Sequence, residues 1–137
     1  MQIHLPAGGT VDRDRFEQLV ASALSQLPEE FQEKLENVDV VVEERPTLGQ
    51  MARMRRGATL LGLYEGVPHT ERTRGYSLVL PDKITIFKRP IERMCRNERE
   101  VAAEIRRVLL HEIAHHFGFD EESLRRIEAR KPREKDR

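Results

Sequence analysis

The chain has 137 residues, enough for one domain with a genuine core and too few for two ordinary ones. Its 24 basic and 24 acidic residues balance, so no global field draws in nucleic acid or an anionic membrane. No Trp, two Tyr and five Phe, with 35% charged residues, predict a small core under a heavily solvated surface.

The single cysteine, Cys95, cannot form an internal disulfide, which fits a reducing compartment. The opening stretch MQIHLPAGGT has neither the basic segment nor the apolar run of a signal peptide, and no later apolar run is long enough to span a bilayer. The expectation is a cytoplasmic, single-domain protein over residues 1–137, with no membrane partner.

Thr10 is the expected N-cap of a first helix, whose apolar positions Phe16, Leu19, Val20, Ala23, Leu24 and Leu27 recur at helical spacing. Pro28 suits the first turn of a short second helix, PEEFQEKLE. The β-branched run NVDVVVEERP reads as a strand ended by Pro46, and the basic segment 47–57 reads as a loop. A second strand follows in ATLLGLYEGVP, then a polar HTERTRG, then a third strand region, YSLVLPDKITIFKRP, interrupted at Pro81 and Asp82. Lys83, Lys88 and Pro90 are residue types that blunt a sheet edge, so Asp82–Phe87 is expected at one. A long helix over about residues 97–117 is stopped by Gly118, and Asp120 caps a last short helix. The charged tail RKPREKDR, about residues 131–137, is expected to fray. This order of elements predicts an α+β layer arrangement.

The chemistry concentrates in HEIAHHFGFDE, residues 111–121. On a helix, His111 and His115 project about 40° apart on successive turns, so both imidazoles can reach one metal ion, with zinc the natural candidate. Val101, Ile105, Val108, Leu109, Ile113 and Phe117 form the buried arc of that helix, with the two histidines at its rim and Glu112 pointing into it. A carboxylate on a buried arc needs a partner or a function; in a zinc hydrolase, the function is to accept a proton from water and pass it to the leaving group. By accident, H-E-x-x-H alone arises in roughly one such sequence in forty; adding a glycine and then an oxygen ligand at the spacing found here lowers that to about one in a few thousand. Gly118 can end the helix in the left-handed region and turn the chain back, bringing Glu121 to the metal as third ligand. Asp120 and Glu122 are alternatives for that place, and Glu128 and Glu134 are distant ones. His116 is expected as a packed core histidine.

The stretch LLHEIAHHFGFDEESL resembles the active-site helix and turn of zincin metallopeptidases. With LLGLYEGVP and LPDKITIFKRPI, the chain is similar, over residues 37–124, to a family of small bacterial zincin-like proteins with a minimal zincin fold. The resemblance implies a short mixed β-sheet packed against helices, with His111 and His115 as zinc ligands, Glu112 as general base and Glu121 as third ligand. The last position of the related metzincin spacing is His, whereas here it is Glu121, and no methionine follows Met94. In zincins generally a substrate peptide adds to a sheet edge, which makes the strand at Asp82–Phe87 the expected docking edge for a peptide or protein partner. Tyr64, Tyr76 and His69 are the candidate donors to an oxyanion.

Two other classes fit part of the pattern. A non-catalytic interaction module would use zinc only to clamp the last turn. A metal-dependent ribonuclease is the other, since the frame is also similar to the H-x-x-x-H-x-x-G-x-D-H pattern of a bacterial family that processes ribosomal RNA. For that reading, Arg53, Arg55 and Arg56 supply a local patch but the net charge supplies nothing.

Overall fold

The computed structural model describes residues 11–52, 60–66 and 81–129, without the side chains of Glu121 and Glu128. The first helix, α1, runs Arg13–Ser25. Its N-cap is Asp12, not Thr10, which lies outside the described residues: the Asp12 carboxylate accepts from the Asp14 N–H at 3.4 Å. The apolar stripe falls where its period puts it, with Phe16, Leu19, Val20 and Ala23 buried. Pro28 is the N-cap of α2 (Glu29–Lys34), which buries Phe31 completely.

Strand β1 is Val38–Glu43. The segment expected as a loop contains a single turn of helix, α3 (Leu48–Met51), because Thr47 and Gln50 form a reciprocal capping box. Among the described residues, strands β2 (Gly62–Glu65) and β3 (Asp82–Phe87) join β1 in a three-stranded mixed sheet in the order β1-β3-β2. β1 runs parallel to β3, with Val40 opposite Ile84; β2 runs antiparallel, with Tyr64 opposite that same Ile84.

β3 is therefore the central strand, which corrects the expectation of an edge at Asp82–Phe87. It is paired on both sides, and Ile84, Thr85, Ile86 and Phe87 are all buried, so both of its faces are covered as well. Lys88, expected to blunt an edge, is buried. It opens α4 (Lys88–Arg93), a helix that the sequence reading missed, and its ammonium lies 3.1 Å from Glu92 Oε2 one turn on. The same oxygen accepts a short bond from the Val11 N–H. Pro90 falls within the first turn of α4, where its missing N–H costs nothing.

The long helix α5 (Glu98–Phe117) starts at Asn97, whose Oδ1 accepts from the Glu100 N–H at 2.9 Å, and ends at Gly118. A final helix, α6 (Glu121–Ala129), follows. One contiguous core joins α1, α5 and the sheet through Phe16, Val20, Ile84, Ile86, Ile105, Leu109 and Ile113. Cys95 is buried and unbridged, and burial pushes its thiol up to about 11. Among the described residues, no helix is long and apolar enough to cross a membrane.

Candidate functional site

The C-terminal half of α5 carries residues 111–117, and its inner face makes the site's foundation. Val108, Leu109, Leu110, Ile113 and Ala114 are buried, so the register of the helix is fixed by packing. The histidines lie one turn apart on the outside of that arc. His111 and His115 are exposed, with ring centroids 4.8 Å apart and planes tilted by 35°. Burial of its ring atoms, reinforced by His115 and Arg107, lowers the pKa of His111 and so favours the neutral imidazole that a metal needs.

Glu112 sits between them on the inner side, half-buried, and its Oε1 accepts from the backbone N–H of Tyr64 at 3.2 Å. Burial drives its carboxyl above the ordinary range, and the Tyr64 N–H and the nearby His115 only partly offset that. The strand that supplies this N–H lies hard against the helix. A Cβ built on Gly62 would meet Val108 Cγ1 at 2.5 Å, the Thr85 carbonyl oxygen at 3.3 Å and Glu112 Cγ at 3.6 Å. Only glycine lets β2 come this close.

Tyr64 is held at its other end too. Its hydroxyl donates to Asp82 Oδ2 at 2.8 Å, and its ring stacks on His116 at 3.7 Å and 11°. His116 Nε2 is 4.0 Å from the same Asp82 oxygen. His116 is thus not the packed core histidine expected: its side chain is 39% exposed, because its ring lies on Tyr64 at the rim while Ile113, Ala114 and Phe117 take the core side of that turn. With its hydroxyl committed to Asp82, Tyr64 is a bracing residue and not the oxyanion donor considered from the sequence. Tyr76 and His69, the other two candidates, lie outside the described residues.

The turn after α5 has the predicted form. Gly118 adopts φ 78°, and the Phe119 N–H donates to the Ala114 carbonyl at 3.0 Å. Phe119 then packs edge-on against Phe31, with centroids 4.9 Å apart, which fixes the direction in which the chain leaves the helix. Asp120 Oδ1 accepts from the Ser123 N–H at 2.7 Å, so this side chain caps α6, and Glu122 is exposed. Glu121 is the first residue of α6; its side chain, that of Glu128, and all of Glu134 lie outside the described part of the structure.

Among the described residues, no three His, Cys, Asp or Glu side chains are grouped as a metal site. His111 and His115 nonetheless fit zinc in donor type and in their one-turn separation. The brace made by Tyr64, Asp82 and His116 was not read from the sequence. Its one visible signal was the glycine inside LLGLYEG, which marks a close backbone approach.

A comparison with curated proteins gives no match. Among solved structures, a conserved hypothetical protein from Thermus thermophilus is similar, with a TM-score of 0.53 and 26% sequence identity, over 78% of this chain and 94% of that one. The family model of zincin-like metallopeptidases matches residues 35–131, which takes in the whole sheet, α5 and its turn. The chain belongs to the zincin-like metallopeptidase family.

Proposed function

We propose that this protein is a zinc-dependent peptidase in which His111, His115 and Glu121 hold the metal and Glu112 is the general base. The observation that carries the reading is the placement of α5: two exposed imidazoles one turn apart, with a half-buried carboxylate between them held under β2. Zinc, when bound, supplies Lewis acidity toward water and toward the carbonyl of the scissile bond. Glu112 accepts a proton from the attacking water and delivers it to the amide nitrogen as the C–N bond breaks, leaving a carboxylate and an amine. The partner we assign is a peptide or protein segment reaching the exposed histidine face of α5 beside β2. β2, not β3, ends the order of the described strands there.

The test is hydrolysis of fluorescein-labelled casein by the zinc-loaded chain and by its Glu112→Gln variant. Cleavage that falls about 10²- to 10⁴-fold in the variant, with zinc retained, supports the reading. Equal and negligible cleavage by the two, both zinc-loaded, sinks it in favour of a zinc-clamped interaction module.

A further inference from the structure

We infer that Tyr64, clamped by Asp82 and His116, is the positioning residue that holds the Glu112 carboxylate; the inference rests on the hydrolytic reading for its catalytic consequence only. Glu112 has two ways to sit at the surface of α5, tucked under the sheet or turned out into solvent, and desolvation alone favours the second. Among the described residues, what opposes it is the Tyr64 backbone N–H at 3.2 Å. A backbone donor is only as well placed as its strand, and β2 has just four residues.

The clamp on the Tyr64 side chain supplies the missing rigidity. The hydroxyl is tied to Asp82 on the neighbouring strand, and the ring lies face to face on His116 of the same helix that bears Glu112. Phe117 meets the Tyr64 ring edge-on at 6.0 Å, which closes a further side. One residue is thereby fixed against both β3 and α5 and hands its N–H to the carboxylate between them. The Gly62 contact with Val108 leaves the strand no room to slide toward the helix. The histidine that stacks on Tyr64 directly follows His115, so the bracing and the metal-facing imidazole share one turn of helix.

The experiment follows the residue-64 amide by ¹H–¹⁵N NMR in the zinc-loaded full chain, beside kcat and KM on a quenched fluorogenic peptide. In the wild type this amide proton is expected far downfield and slow to exchange, since it donates to a carboxylate, and Glu112→Gln should move it upfield. Tyr64→Phe keeps the ring and its stack but loses the bond to Asp82. It should move the amide the same way and lower kcat by roughly tenfold, with KM and zinc content unchanged. Asp82→Ala should behave likewise, whereas Asp82→Asn, which keeps an oxygen to accept the hydroxyl, should restore wild-type behaviour. A residue-64 amide blind to Glu112→Gln, or a Tyr64→Phe protein with wild-type amide and kcat, overturns the inference. If no protein cleaves, wild type included, but the amide responds as described, the positioning stands and the hydrolytic reading falls.

Discussion

Glu92 and Glu112 are both carboxylates on helices that share one core, and the fold treats them in opposite ways. Glu92 is 2% exposed, and its Oε2 is answered twice: Lys88 lies 3.1 Å away, and the Val11 N–H donates to the same atom. Around that pair, Glu44 gathers Arg89 at 3.1 Å and Arg13 at 3.4 Å. Burial works to raise the Glu44 carboxyl, but Arg89, Lys88 and Arg13 together hold it below its ordinary value. Among the described residues Glu112 has one backbone donor, and burial leaves its carboxyl raised. The first carboxylate ties α4 to the start of α1. The second retains affinity for a proton beside two exposed imidazoles. Glu92 is buried against a cation and an N–H and serves the architecture; Glu112 sits half-buried at the rim, which suits the proton-accepting role proposed for it.

Several substitutions would break or sharpen that contrast. Glu92→Ala leaves the buried Lys88 ammonium with only the half-exposed Glu44, 4.0 Å away, and should cost about 3 kcal/mol in urea unfolding. Replacing both members with apolar residues, Lys88→Met with Glu92→Leu, should recover most of the loss. Glu112→Gln in the metal-free protein should be at least as stable as wild type, because it removes a half-buried charge and keeps an acceptor for the Tyr64 N–H. A large loss there would erase the distinction between the two carboxylates.

Two glycines set the geometry around Glu112. Gly62→Ala places a methyl group into Val108 and should lower stability by about 1–3 kcal/mol, with chemical-shift changes centred on Tyr64 and Glu112 in NMR spectra. Gly118→Ala meets no neighbour within 4 Å but must hold a left-handed backbone, so the expected cost, measured by thermal unfolding, is about 1–2 kcal/mol. The first variant disturbs the site by crowding, and the second by bending the exit of α5.

What could be read from the sequence follows how local its cause is. Helix α5 was legible at both ends, since Asn97 and Gly118 act on their own backbone, and so was the capping role of Asp120. The placement of β3 was not. Lys83 and Lys88 look alike as edge protection, yet Lys83 is exposed and reaches Glu65 at 4.0 Å while Lys88 is buried against Glu92. The i,i+4 spacing of Lys88 and Glu92 was the available signal, hidden because Lys88 and Pro90 also suit edge protection for the strand before them. His116 failed for a related reason: periodicity placed it near the buried side, but its ring is taken by Tyr64, a contact made across the fold. The pairing of histidines around Glu112 needed only the period of one helix, while the strand that holds Glu112 needed contacts made across the fold.

Every catalytic role proposed above depends on a metal held by α5 and the turn after it. Zinc per chain, by elemental analysis after loosely bound metal has been removed, tests it most directly in the wild type, His115→Ala and Glu121→Ala. One equivalent is expected in the wild type, with its loss or marked weakening in both variants. No zinc in the wild type, or full retention in His115→Ala, would contradict it.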